Sequence, residues 1–308
     1  MRASTVHGIP GVMLFDSGAP GPVLGITVCT HGNEPSGLAA VAFLREVLSH
    51  QPLLMGAVYV VVNNLRATEL FFQATDDQTR RNTRYVDINM NRLPVDTLEL
   101  CEDDRYEVRR AQELRSIWEK FTVALDVHST TSPVDPMIIS KGTDFGRVAS
   151  LVHGFPIRSL LTNIDSVQLN RPVLVFYGSR EINVPAFAIE TGQHTSLEAF
   201  ERAVACTQAL LANLGMLPGV SPMATHEFIE YPIKASLFFS DQSFDLIQDF
   251  RSYDLMREGD VIARNTVGEE LYAPFDGHLI FPTEQRGADK DLTEEISFFS
   301  SPSRIWNA

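Results

Sequence analysis

Four short runs of apolar, largely β-branched residues recur along the 308-residue chain: VLGITVCT at 23–30, AVYVVV at 57–62, TVALDV at 122–127 and PAFAI at 185–189. They lack the polar alternation of a half-exposed strand, so they read as strands buried on both faces, which requires a sheet covered on both sides. Helical spacing fills the intervals. GLAAVAFLREVLSH follows Ser36, which is placed to cap it, DDRYEVRRAQELRSIWEK spans 103–120, and SLEAFERAVACTQALLANL spans 196–214 behind a capping Ser196. Strands alternating with helices imply right-handed crossovers and an α/β fold with a mostly parallel central sheet flanked by helices. After Pro218 the texture changes: FIEYPIKA, DVIARNT, ELYAPF and GHLIF are short strand candidates punctuated by Gly and Pro, with no long helical pattern among them. The expected organisation is one large domain over 1–219 and a smaller β-rich C-terminal domain over 220–308, with the boundary near 218–222.

Composition excludes several classes of function. With 39 acidic against 25 basic residues and a net charge of −14, the chain lacks the clustered Lys and Arg of a nucleic-acid surface. Cys29, Cys101 and Cys206 lie far apart with no CxxC spacing, which suits a reducing compartment, and the cytoplasm is the expected location. The N-terminal segment has no apolar export core, and no stretch approaches the roughly 20 apolar residues of a membrane span, so neither export nor a membrane partner is expected.

In an open parallel sheet, ligands bind at the carboxyl ends of the strands. His31 ends the first run, His128 ends the third in LDVHST, and Glu190 ends the fourth. Glu34 follows His31 closely, across a turn opened by Gly32. Two histidines and a glutamate form a common ligand set for a catalytic zinc, with a fourth position left open for water. His31, Glu34 and His128 are therefore assigned to a single zinc ion. Each has a plainer reading when taken singly, since a lone histidine is more often a core or surface residue than a ligand and H-x-x-E occurs by chance; their shared position at strand ends is what raises the assignment. Glu190 suits either the N-terminal end of the helix at 196 or a general base, and its place after an apolar strand favours the base. In RRNTRYVDINMNR, Arg80 and Arg81 read as solvated, whereas Arg84 and Arg92 suit carboxylate binding or support of a developing oxyanion.

The motifs H-G-N-E, T-R-Y-V-D-I-N-M-N-R, D-V-H-S-T-T-S and I-E-T-G, in this order, resemble those of the succinylglutamate desuccinylase/aspartoacylase family, a branch of the zinc carboxypeptidase-like superfamily, over most of residues 20–195. The resemblance implies a zinc carboxypeptidase-like fold and a zinc amidohydrolase that cleaves a small anionic N-acyl amino acid to a carboxylate and a free amino acid. It sets His31, Glu34 and His128 on the zinc ligands, Glu190 on the general base and Arg84 on the arginine that polarises the scissile carbonyl. Asn91 and Arg92 fall on the pair that grips a substrate carboxylate, and Arg180 on an arginine that holds a second one. The C-terminal domain is then expected to narrow access to the zinc. Two departures stand out. Asn89 replaces an aspartate that orients a zinc histidine, a role for which Asp87 or Asp126 is the expected substitute, and the region around Phe281 lacks the tyrosine that aspartoacylases contribute from their C-terminal domain. A carboxypeptidase acting on peptides and a non-catalytic metabolite-binding protein on the same scaffold are the alternatives.

Overall fold

The structure, a computed structural model, describes residues 4–6, 8–93, 102–131, 133–140, 146–167, 184–218, 227–282, 292 and 295–307. All four apolar runs are strands: Val23–Val28, Ala57–Val62, Val123–Thr130 and Ala186–Gln193. Val23–Val28 lies between Ala57–Val62 and Val123–Thr130, and Val123–Thr130 lies against Ala186–Gln193, all in parallel. Alternate residues feed two apolar clusters on opposite faces. Leu24, Ile26, Val58, Val60, Leu125 and Val127 pack with Leu44, Leu48, Cys206 and Leu210 from the helices Gly37–His50 and Leu197–Asn213. Tyr59, Val61 and Ala124 pack on the other face with Val108, Ala111, Leu114 and Trp118 from the helix Tyr106–Trp118. Each fully buried aliphatic side chain contributes about 1.5–3 kcal/mol, so the central strands are fixed chiefly by covering both faces.

Helix starts follow local chemistry only in part. Ser196 caps its helix as expected, its hydroxyl accepting the Ala199 N–H at 3.2 Å. Ser36 does not: its backbone is already helical, and its hydroxyl lies 3.0 Å from that of Thr191. The first turn instead closes on the carbonyls of Pro35 and Ser36.

Beyond the four parallel strands the sheet becomes mixed. Ala186–Gln193 pairs antiparallel with Met137–Ser140, which runs parallel to Ser159–Thr162, which in turn runs parallel to Glu227–Leu237. Glu227–Leu237 also pairs antiparallel with Ser297–Ser300. The sheet therefore runs on from the central strands into the C-terminal ones, 13 strands among the described residues, beside a separate sheet formed by Asp245–Leu246, Val261–Arg264 and Glu270–Tyr272. The expected boundary near 218–222 falls on 219–226, outside the described residues. No helix among the described residues is long and apolar enough to cross a membrane.

Candidate metal centre and active site

The parallel register brings the predicted residues to one edge of the sheet. Val28, the last residue of its strand, pairs with Val127, directly before His128, and His128 pairs with Glu190. After Val28 the chain leaves the sheet at Cys29, whose φ of 51° lies in the left-handed region, and turns through His31 to Glu34, where the Glu34 N–H donates to the His31 carbonyl at 3.2 Å. Gly32 lets this turn pack against the next loop. Its N–H donates to the Arg84 carbonyl at 2.9 Å, and a Cβ there would stand 2.3 Å from the Ala67 carbonyl carbon and 2.4 Å from the Thr83 oxygen.

His31, Glu34 and His128 are all buried, and their ligand atoms lie within 4.8 Å of one another. His31 Nδ1 is 2.6 Å from Glu34 Oε1, and His128 Nδ1 is 2.8 Å from Glu34 Oε2. The far nitrogen of each ring is also held. His31 Nε2 lies 3.0 Å from Asn89 Oδ1, and His128 Nε2 lies 2.8 Å from Asp126 Oδ2. Asn89 Oδ1 accepts the Asn91 N–H at 2.9 Å, which fixes that atom as the amide oxygen and makes His31 Nε2–H the donor to it. In a neutral imidazole Nδ1 then carries a lone pair and faces another acceptor, Glu34. Lone pairs from two rings converging on one carboxylate form a cation site, and a ligand histidine that donates its other N–H to an oxygen is the usual arrangement around zinc. The residues fit the ion.

The electrostatics are those of an ion-paired cluster, from which an incoming cation would displace the proton on His128. Burial disfavours a charged Glu34, yet His31 and His128 outweigh it and hold the carboxyl well below its usual range. Burial also opposes a charged His128, but Asp126 and Glu34 raise it well above the ordinary value. Burial and the Arg84 charge lower His31. Asp126 is itself fixed by the Thr27 hydroxyl at 2.7 Å and the Thr30 hydroxyl at 3.2 Å.

Glu190 stands beside this group. Burial pushes its carboxyl up to about 8, against an opposing pull from His128, and its Oε2 has no hydrogen-bond partner among the described residues. Arg84 Nη1 reaches Glu34 Oε1 at 3.3 Å while its side chain stays 36% exposed. Asn91 and Arg92 close the short helical turn Met90–Arg92 directly after Asn89. Arg92 does not face open space: its guanidinium is paired with Glu295. Arg180 lies outside the described residues. Cys29 is buried near the turn, its thiol pushed up to about 12 by burial, which makes it a core residue.

Of the two expected substitutes for the family aspartate, Asp126 holds a histidine of the group and Asp87 does not. Asp87 accepts the Tyr106 N–H at 2.7 Å and Asp126 serves His128, so Asn89 itself meets His31. Sequence reasoning missed Glu107. This buried carboxylate accepts the N–H groups of Val86 at 2.6 Å, Asp87 at 3.0 Å and Ile88 at 3.2 Å, and so shapes the loop that carries Arg84 and Asn89. A signal was present: Glu107 lies on the same helix stripe as the buried Ala111, Leu114 and Trp118. His194 also lies against the site: its Nδ1 is 2.9 Å from the hydroxyl of Ser129, and the Ser129 backbone N–H donates to Glu34 at 3.3 Å.

A mixed α/β sheet with a parallel core, flanked by helices, carries this candidate metal-binding group at its strand ends. The chain belongs to the succinylglutamate desuccinylase/aspartoacylase catalytic domain family, whose model matches residues 20–214. It is similar in structure to the succinylglutamate desuccinylase of Vibrio parahaemolyticus, with a TM-score of 0.70 at 15% identity over 97% of this chain and 90% of that one. It is also similar to murine aminoacylase 3, with a TM-score of 0.67 at 20% identity over 94% of this chain and 97% of that one. In sequence it is 26% identical to the aspartoacylase of Rattus norvegicus over 172 residues, 53% of this chain and 52% of that one. The chain thus spans about half the length of the aspartoacylases it matches.

Proposed function

We propose that the protein is a zinc-dependent amidohydrolase that removes the acyl group from a small anionic N-acyl amino acid. The observation that carries this reading is the convergence of His31 Nδ1 and His128 Nδ1 on the Glu34 carboxylate, with Glu190 alongside. When bound there, zinc would supply a Lewis acid for the amide carbonyl and a water of lowered pKa. The remaining roles fall to side chains. Glu190 takes the proton of the attacking water on its carboxylate and returns it to the nitrogen of the departing amino acid. Arg84, partly exposed beside Glu34, places its guanidinium near the carbonyl oxygen as charge builds on it. Asn89 and Asp126 keep the two imidazoles oriented, and Asn91 and Arg92 line the side on which the amino-acid part binds.

The test is hydrolysis of a panel of N-acyl amino acids, N-acetylaspartate and N-succinylglutamate among them, by the purified zinc-loaded protein. Amide cleavage that is lost on chelation and restored by zinc is expected. Activity that survives both chelation and Glu190→Gln would overturn the reading.

A further inference from the structure

Ser36 and Thr191 stand outside the group of ionisable side chains, yet their hydroxyls tie together the segments that carry it. Ser36 follows Glu34 by two residues, and Thr191 directly follows Glu190. The Thr191 hydroxyl donates to the His128 carbonyl at 2.9 Å. A threonine hydroxyl has one hydrogen, so the 3.0 Å contact between Thr191 Oγ1 and Ser36 Oγ is one in which Ser36 donates. The order is therefore Ser36 O–H to Thr191 Oγ1, and Thr191 O–H to the His128 carbonyl. Both hydroxyl residues are fully buried, away from competing water. The Thr191 carbonyl is fixed as well: it accepts from Arg202 Nη1, on the helix Leu197–Asn213, at 2.9 Å.

These bonds fall where the sheet stops guiding the chain. Glu190 is the last residue of its strand in register with both neighbours, opposite His128 on one side and Met137 on the other. The next pair joins Thr130 to Gln193, two steps along one strand against three along the other, which is a bulge of one extra residue. Gly192 within it has a φ of 113°, and a Cβ there would stand 3.0 Å from Arg202 Nη1. A bulge disrupts the ladder and bends its strand, so the backbone just past Glu190 needs another anchor. The carboxylate supplies none, since Glu190 Oε2 is buried without a hydrogen-bond partner among the described residues. Its direction follows from the backbone that carries it. We infer that Thr191 is a positioning residue: its hydroxyl, donating to the His128 carbonyl and accepting from Ser36, holds the Glu190 carboxylate in place beside His31, Glu34 and His128. This rests on the amidohydrolase reading for its effect on rate, whereas the placement of Glu190 does not.

Thr191→Val keeps the branched shape and removes the hydroxyl, whereas Thr191→Ser keeps the hydroxyl and removes the methyl group. With the best substrate of the N-acyl amino acid panel and zinc-loaded protein, Thr191→Val is expected to lower kcat about tenfold or more with KM changed less than about twofold, the effect of a misplaced reacting group. Thr191→Ser is expected to stay within about threefold of the parent. Ser36→Ala should lower kcat less, and should add nothing to Thr191→Val in the double variant, because both act through one chain of hydroxyls. A second readout stands apart from hydrolysis: crystal structures of the metal-free parent and of the two Thr191 variants. The Glu190 carboxylate is expected to shift by about 1 Å relative to His128 in Thr191→Val and to keep its place in Thr191→Ser. Ser36→Ala carries both comparisons if circular dichroism shows that Thr191→Val folds poorly. A Glu190 carboxylate unmoved in Thr191→Val, a loss of kcat that serine does not rescue, or a change confined to KM would overturn the inference. Absence of hydrolysis in every form, with Glu190 displaced in Thr191→Val and restored in Thr191→Ser, would sink the amidohydrolase reading and leave Thr191 as the residue that places Glu190.

Discussion

The amide oxygen of Asn89 lies 3.0 Å from Nε2 of His31, occupying for that ring the place that Asp126 occupies for His128. A neutral amide is a weaker acceptor than a carboxylate, so His31 is oriented but gains less basicity than His128. Asn89→Asp is expected to tighten zinc binding roughly tenfold, and Asn89→Ala to weaken it by a similar factor or more, within the range seen when such outer partners are changed. Competition titration against a chromogenic chelator measures both. Equal affinities in all three proteins would show that the Asn89 contact is without consequence.

Glu190→Gln should lower hydrolysis roughly 100-fold or more if its carboxylate moves the proton. The same residue has a signature in the metal-free protein. Its folded-state value of about 8 lies above the ordinary 4.5. The stability it contributes is therefore fully present below about pH 4.5 and is lost as pH rises through 8. The melting temperature of Glu190→Gln relative to the parent is expected to climb between those limits, and a constant difference across the window would contradict the burial argument.

His194 works in the opposite direction. Burial lowers it from 6.5 to about 4, with Ser129 and Thr131 hydroxyls holding its two nitrogens. The unfolded chain takes up this proton first, so the contribution of His194 is present above pH 6.5 and is lost as pH falls towards 4. A titration of the imidazole resonances by NMR should show, besides any signal from His31, a ring that stays neutral at pH 5.5 and is missing from the spectrum of His194→Gln.

Glu107 carries a structural prediction. Removing its carboxylate strands the N–H groups of Val86, Asp87 and Ile88, together with the Asn64 side-chain amide that donates to it at 3.0 Å. With about 1–3 kcal/mol for each buried donor left unsatisfied, and partial relief from water, Glu107→Ala is expected to cost roughly 3 kcal/mol or more in urea denaturation. Glu107→Gln should fall between, since its amide retains one acceptor. A loss below about 1 kcal/mol for the alanine variant would mean that the loop does not depend on this anchor.

Local pattern was enough for the strands and for their chemically capable ends. Burial on both faces removes polar alternation from a strand, and the parallel arrangement this demands places strand ends at one edge, so His31, His128 and Glu190 could be grouped before any coordinates. Asp126 was legible as a second carboxylate near the candidate metal site, two residues from His128, but not which ring it would meet. Strand alternation puts Asp126 on the face of His128, two residues on, and the parallel register sets it beside the Thr27 and Thr30 hydroxyls. Ser36 looked like a cap because its sequence setting is that of one; a hydroxyl brought in from Thr191, 155 residues away, took its place as the partner.

Sequence by itself thus determined the buried strands, the group of His and Glu side chains proposed as ligands at their ends and the family to which the motifs point, because each of these is written in spacing along a few neighbouring residues. Tertiary structure alone decided who holds whom: Asn89 on His31, Glu107 under the arginine loop, and Glu295 on Arg92. These are single directional contacts between distant side chains, and their formation depends on how the sheet, the helix Tyr106–Trp118 and the C-terminal strands pack, a relationship that no local periodicity records.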